Sequence, residues 1–304
     1  MAKSNNYISV IITAYNRMEY VLDALKSTTE QSLSRQLYEV IVVKNFQDTN
    51  IDAFAEANNV INIYSENKTL SGKIIEAINI ARGNILCFLD DDDMFYRKKL
   101  EYVFKKFNES NNLCYLHNNF TAIDREGKPL VYYNKNPDFN MSSISIRREI
   151  INGEAFGNVT KSIDTLIYLY AKESGMELKI DSRELTYYRV TDQSVTHSFT
   201  DFNSFMEFSY NSLNIILNSY IQMLPLFHSR ETRGILKHKI SFTKIRLNIF
   251  GGNVAGLKDY LVLLYTPTLE SRPYEIKVAL ASLFMRKYSA GKLYKNEKMK
   301  QEVK

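Results

Sequence analysis

Apolar residues first come in short, unbroken runs. ISVIIT (Ile8 to Thr13), EVIVV (Glu39 to Val43), the shorter stretch Val60 to Tyr64, and NILCFL (Asn84 to Leu89) are rich in β-branched side chains and too short for helices. Each reads as a strand. Elsewhere the spacing changes to three and four, as in Met18, Val21, Leu22 and Leu25, then from about Ser71 to Arg82, then Leu100, Val103, Phe104 and Phe107. That spacing gives a helix one apolar face. Strands that are apolar throughout and separated by helices predict a parallel sheet covered on both faces, joined by right-handed crossovers.

Further along, the pattern becomes mixed. Asn112 to Asp124, Pro129 to Tyr133 and Met141 to Ile146 read as strands around polar turns, and Ile163 to Lys172 reads as a helix. Leu178 to Ile180 and Leu185 to Val190 are strand-like again. From about Asp201 the spacing is helical, with breaks at Pro225 and Pro267. Two regions follow: an α/β domain over 1–200 and a helical region over 201–304.

Composition narrows the class. A chain of 304 residues with 45% hydrophobic and 24% charged residues is that of a globular protein with a sizeable core. No apolar stretch approaches the roughly 20 residues that span a bilayer, and the N-terminus lacks the apolar segment of a signal peptide, so a cytoplasmic location is expected. Cys87 and Cys114 lie inside apolar runs, and His117, His197, His228 and His238 show no metal-ligand spacing. The net charge of +5 is concentrated at the end, where nine basic residues stand against three acidic ones from Ser271 on. The segment from Tyr274 to Tyr294 interleaves Ile276, Val278, Ala279, Leu283 and Phe284 with basic residues. It reads either as a basic amphipathic helix lying at an anionic inner membrane face or as a helix packed on the core with its lysines in water. No nucleic-acid reader motif is present.

The candidate chemistry begins with four consecutive aspartates, Asp90 to Asp93, directly after Ile85 to Leu89. Acidic runs are commonly solvated loops or first turns of helices. Here the acids follow a buried strand, at the edge where open α/β sheets bind ligands. Carboxylates so crowded raise one another's pKa unless a cation offsets them, which makes a divalent cation held by hard oxygen ligands the sharper reading.

Several blocks now agree, in order, with one family. SVIITAYNR (Ser9 to Arg17), EVIVV (Glu39 to Val43), ARGNILCFLDDDDMF (Ala81 to Phe95), SISIRREII (Ser143 to Ile151), SIDTLIYLYAKESG (Ser162 to Gly175) and ELTYYRVTDQSVT (Glu184 to Thr196) resemble the successive signatures of the inverting family 2 glycosyltransferases. The resemblance covers about the first 200 residues. It implies a GT-A fold, the Rossmann-like fold of nucleotide-diphospho-sugar transferases: a mixed sheet flanked by helices, here with a helical C-terminal region. It also implies a nucleotide-sugar donor of the UDP or GDP type, a glycan or lipid-linked acceptor, and Mg²⁺ or Mn²⁺ as cofactor.

Carried over residue by residue, the resemblance makes Thr13, Ala14, Tyr15 and Arg17 the nucleotide grip at the end of the first strand. Phe88 to Asp93 matches the pattern FLDxDD, which gives Asp90 a nucleotide-sugar contact and Asp92 the metal. Asp91 and Asp93 are neighbours, with Asp91 counted on the donor side. Asp164 takes the place of the general base, and Ile163 stands where a glutamate is frequent. Arg147 and Arg148 either approach the diphosphate or acceptor or lie at the surface. The chain departs from the pattern where Lys44 and Asn45 follow the second strand, with Asp48 beyond; Asn45 is the donor-contact candidate there. Lys73, after Gly72 at a helix start, is a candidate phosphate contact. Thr191 replaces a frequent histidine, with His197 six residues beyond Thr191. Two other functions remain open: a nucleotidyltransferase, although AYNRMEY is no Gly-rich phosphate loop, and a non-catalytic glycan-binding or scaffolding protein on a decayed transferase fold.

Overall fold

The structure is a computed structural model that describes residues 6–130, 140–157, 159–190, 199–266 and 272–302. It divides into two compact units, Met1–Val190 and Thr191–Lys304, so the division falls just after the last strand.

The first unit is an α/β sheet domain. In chain order it contains β1 (Ile8–Ala14), α1 (Val21–Thr29), β2 (Tyr38–Lys44), α2 (Thr49–Ala57), β3 (Ile61–Tyr64), α3 (Leu70–Ile80), β4 (Ile85–Asp90), β5 (Met94–Phe95), α4 (Lys99–Glu109), β6 (Leu113–Ile123), β7 (Ile144–Arg147), α5 (Gly153–Phe156), α6 (Ile163–Glu173) and β8 (Glu177–Arg189). The strands form one sheet in the order β3-β2-β1-β4-β7-β6-β8-β5. The first four run parallel. β7 pairs antiparallel with both β4 and β6, β6 pairs parallel with β8, and β5 closes antiparallel on β8. The sheet is therefore mixed; the parallel expectation describes its first half.

The apolar runs became strands because the sheet is covered there. Every residue of β2 is buried, as are all of β1 except Thr13 and all of β4 except Asp90. Alternate residues such as Val10, Ile12, Val42 and Cys87 join α1 and α4 in a single core. Gly83 lets the chain run close to β1, since a Cβ there would sit 2.5 Å from the Ser9 amide nitrogen. Buried Glu39 bolts the same corner, accepting from Ser9 Oγ at 2.6 Å and from the Arg82 amide at 2.6 Å. Burial works against its charge, but these donors and the Arg82 guanidinium hold its carboxyl below the usual range.

Several elements differ from the sequence expectation. α2 was not expected, because Thr49–Ala57 buries only Ile51 and Ala55; Asp48 caps it, accepting from the amides of Asn50 and Ile51. Met141 to Ser143 form a 3₁₀ turn before β7. The two strands foreseen around Asp181 to Glu184 are one strand, β8, whose exposed middle carries polar residues. Pro129 makes an isolated bridge to Ile123, while Tyr132 and Tyr133 lie outside the described residues, as do Thr191, His197 and Pro267.

The second unit is helical: α7 (Phe202–Met223), α8 (Arg230–Ile249), α9 (Leu257–Tyr265), α10 (Arg272–Phe284) and α11 (Arg286–Glu302). Asp201 and Ser229 cap α7 and α8 with side-chain hydrogen bonds. A 3₁₀ turn at Leu224–Leu226 contains Pro225. The basic stretch expected as one helix is split at Met285 into α10 and α11. Among the described residues, no helix is long and apolar enough to cross a membrane.

Candidate active site

The parallel register brings the ends of β1 and β4 together, with Thr13 opposite Asp90. The next residues of each strand make the site. Asn16 takes a left-handed conformation, φ 54°, which asparagine tolerates. Its amide donates to Asn45 Oδ1 at 2.9 Å, and Asn45 Nδ2 donates back to Asn16 Oδ1 at 2.6 Å. Asn45 thus braces the turn after β1 with both ends of its side chain.

That turn delivers Arg17 to the acids. Its guanidinium donates to Asp91 Oδ1 through two nitrogens and meets Asp92 Oδ2 at 2.9 Å. The Tyr15 amide also points at Asp91, at 3.4 Å. Burial opposes the charge on Arg17, but the two carboxylates outweigh it and hold the guanidinium firmly protonated. The Tyr15 side chain stays half-exposed, with Lys73 Nζ 4.5 Å from its ring centroid. Lys73 is buried and donates to the Asn67 carbonyl, and burial pushes its pKa down. It therefore backs Tyr15 from within the protein.

The four aspartates divide by geometry. Asp93 turns inward, accepting from Ser142 Oγ at 2.5 Å and from the Arg189 amide at 2.8 Å. Ser142 Oγ also accepts from the Asp90 amide at 3.0 Å. The Ser142 carbonyl in turn accepts from buried Lys99 and from Thr186 Oγ1. Arg189 donates through Nε to the Asp92 carbonyl at 2.9 Å and through its other nitrogens to Asp124, Arg125 and Asp23. Together these residues fix the acidic turn from behind, leaving Asp90, Asp91 and Asp92 toward Arg17. The sequence reading assigned no role to Lys99, Ser142 or Arg189. Arg189 had one visible signal, its place in the YR pair that ends the strand.

Asp164 belongs to the other half of the domain, on the helix that precedes β8. It stands in the first turn of α6, and Ser162, which precedes the helix, is held in the left-handed region at φ 59°. A serine there is strained, and such strain clusters at functional sites. Asp164 accepts from the Thr165 amide at 2.6 Å, and its charge raises the pKa of Asp90. Other candidates are used elsewhere. Lys44 is buried against Asp52 at 2.8 Å, and Asp48 caps α2. Arg147 donates to the carbonyls of Phe107, Ser110 and Leu113, and Arg148 to that of Ala81.

The charge balance has a measurable consequence. Burial, followed by the neighbouring carboxylates, pushes Asp90 up to about 7; burial lifts Asp91 to about 6 in spite of Arg17. These two carboxyls therefore hold more protons in the folded than in the unfolded chain between about pH 4 and 7, so their contribution to stability is lost as pH rises through that window, while buried His117, held down to about 4, opposes them in part. In EDTA, denaturant unfolding should show stability falling from pH 4.5 to 7.5, and Asp90→Asn should flatten the fall. A flat or rising wild-type profile would contradict this charge balance.

Among the described residues no three His, Cys, Asp or Glu side chains form a ready metal cage. The donor set nevertheless fits a divalent cation: crowded hard-oxygen carboxylates with one arginine to balance them. Mg²⁺-type sites commonly take one or two carboxylates and complete their shell with substrate phosphates. Asp92 is the residue that would hold it.

The mixed eight-stranded sheet flanked by helices is GT-A-like, as its solved structural neighbours below show. Residues 9–157 match the family model described as Glycosyl transferase family 2. Over that stretch, just under half of the chain, the sequence matches a family 2 glycosyltransferase domain. An uncharacterized glycosyltransferase of Rickettsia bellii is 32% identical over 127 residues, covering 40% of this chain and 18% of that protein. The chain matches only 18–20% of the length of the first three Rickettsia relatives. The Escherichia coli UDP-Glc:alpha-D-GlcNAc-diphosphoundecaprenol beta-1,3-glucosyltransferase WfaP is 23% identical over 77% of this chain and 96% of its own. In structure, S. aureus TarS 1–349 in complex with UDP-GlcNAc matches at TM-score 0.54 and 15% identity, covering 95% of this chain and 92% of that one. The Pyrobaculum calidifontis mannosyltransferase PcManGT in complex with GDP-Man and Mn²⁺ matches at 0.52 and 13%, covering 93% and 89%. These likenesses support the fold.

Proposed function

We propose that this chain is an inverting, metal-dependent glycosyltransferase that moves a sugar from a nucleoside-diphosphate donor to a saccharide, with a lipid-linked saccharide as the acceptor class. The observation that supports the reading is that Asp164, in the first turn of α6, lies near enough to Asp90 for its charge to add to the effects of burial and of Asp92 and Asp91 in raising that carboxyl. In this reading one carboxylate group holds the donor and Asp164 serves the acceptor.

In this reading the β1 turn binds the nucleotide: Thr13 and Ala14 line the strand end, Tyr15 offers its exposed ring to the base, and Asn45 holds the turn. Arg17 balances the acids, and Asp90 and Asp91 contact the donor. A divalent cation on Asp92, when bound, supplies Lewis-acid charge for the departing diphosphate. Asp164 takes the proton of the acceptor hydroxyl as that oxygen bonds to the anomeric carbon. The bond from that carbon to the diphosphate breaks on the opposite face, and the electron pair leaves with the nucleoside diphosphate. Attack from the far face inverts the centre. The donor class finds support in the UDP-Glc of WfaP, and so does the acceptor, since that protein's name specifies a diphosphoundecaprenol-linked sugar and the match spans nearly its whole length.

Thermal-shift measurements with UDP, GDP, CDP and dTDP sugars, each with and without Mn²⁺, test the reading. One nucleotide class, uridine first, should raise the melting temperature, and the rise should depend on Mn²⁺. Stabilisation by nucleoside triphosphates but no diphosphate sugar would favour a nucleotidyltransferase. No response to any nucleotide would favour a non-catalytic scaffold.

A further inference from the structure

The second unit carries two apolar stripes that its own core leaves uncovered. α9 and α10 both pack on α8: Leu263 of α9 and Val278 and Ala279 of α10 close around Phe242 and Ile245. Tyr260 Oη and Ser282 Oγ, 2.8 Å apart, tie α9 to α10. These residues define the inward sides. On α9, Leu257, Leu261, Leu264 and Tyr265 are 46–83% exposed. On α10, Ile276, Leu280, Leu283 and Phe284 are 42–79% exposed. Both sets have the spacing i, i+4, i+7, i+8, which is one continuous face of a helix. Two such stripes on adjacent helices exceed the scattered apolar exposure that needs no explanation.

Basic residues flank the stripes. Lys258 and Lys277 each follow the first residue of a stripe, which puts them at its margin. Between residues 272 and 298 there are seven basic and two acidic residues, and one of those acids, Glu275, is buried against His238 at 2.7 Å. Lys258 and Lys277 thus flank the stripes, and α11, which follows α10 directly, brings Arg286, Lys287, Lys292, Lys295 and Lys298. A second copy of the chain is a poor occupant, because a two-fold contact would bring the same basic patch against itself. An anionic lipid surface takes both features at once, with apolar side chains at the acyl boundary and lysines among the headgroups. No described helix is able to span the bilayer, so the geometry suits helices lying in its plane.

We propose that the outward faces of α9 and α10 form a docking surface for an anionic membrane. The inference rests on the second unit alone and holds whether or not the proposed reaction is right. It differs from the sequence expectation in its residues: Val278 and Ala279 are core, and α9, which carries little charge, supplies half of the contact.

Vesicle co-sedimentation of the full chain tests it. At low salt the wild type should pellet with vesicles containing roughly a third phosphatidylglycerol, and binding should fall about ten-fold with pure phosphatidylcholine or at about 0.5 M salt. The double variant Leu264→Asp/Phe284→Asp should lose binding about ten-fold while keeping the wild-type melting temperature. Because both side chains are exposed, a folding defect is not expected, and Lys277→Glu/Lys287→Glu provides a second, charge-only probe that should weaken binding to the anionic vesicles. Wild-type protein that stays in the supernatant at low salt would overturn the proposal, as would unchanged binding by both variants. A wild-type dimer that the Asp variant makes monomeric, without vesicle binding, would assign the surface to self-association instead.

Discussion

Asp164→Asn is expected to keep donor binding and lose sugar transfer by about 10²- to 10⁴-fold, the usual contribution of a positioned general base. Asparagine has nearly the shape of aspartate and can still accept from the Thr165 amide, so α6 should start as before. It cannot accept the proton of an acceptor hydroxyl. The expected kinetic signature is therefore a fall in kcat with little change in donor Kd, read by calorimetry alongside turnover. Removing the Asp164 charge should also lower the pKa of Asp90, since that charge contributes to raising it. If Asp164→Asn retains transfer within a few-fold of wild type, Asp164 is only a first-turn helix residue and the base must be sought elsewhere.

Asp92→Asn should act earlier in the reaction. The Mn²⁺-dependent part of donor stabilisation should vanish, and turnover should drop by about 10²- to 10³-fold, the scale of several kcal/mol of charge stabilisation. Unlike Asp164→Asn, this variant should lose its response to metal in thermal shift as well as in activity. The two variants thus separate loss of the cation from loss of the proton acceptor. Asp93→Asn is a useful contrast, because Asp93 faces Ser142 and the Arg189 amide and not Arg17. Its expected effect is on stability, from weakened hydrogen bonds behind the turn. Metal response intact in Asp92→Asn and lost in Asp93→Asn would reverse the assignment within the acidic run.

The strands of the parallel half were legible because burial on both faces leaves a run such as ISVIIT with no polar position, a pattern that needs no knowledge of distant contacts. Elements that depend on capping or on neighbours were not. α2 is held by one Asp48 cap and two buried side chains, and β5 is two residues long, below any periodicity. At the site, the sequence placed the acids and the β1 turn correctly in the chain, but it could not say which way each side chain faces. Lys73, the candidate phosphate contact, is buried behind Tyr15. Lys99 and Ser142 were invisible as site residues because their role is to meet the acidic turn from strands and helices far away in sequence.

β4 is where the two halves of the sheet meet: its parallel partner β1 stands on one side and its antiparallel partner β7 on the other. The turn after β4 is thus reached from the first side by Arg17 and from the second by Ser142 and Arg189. The two sides also meet directly, since Arg189 of β8 donates to Asp23 of α1 at 3.2 Å. The acidic turn is thus a stretch that both halves of the sheet hold in place.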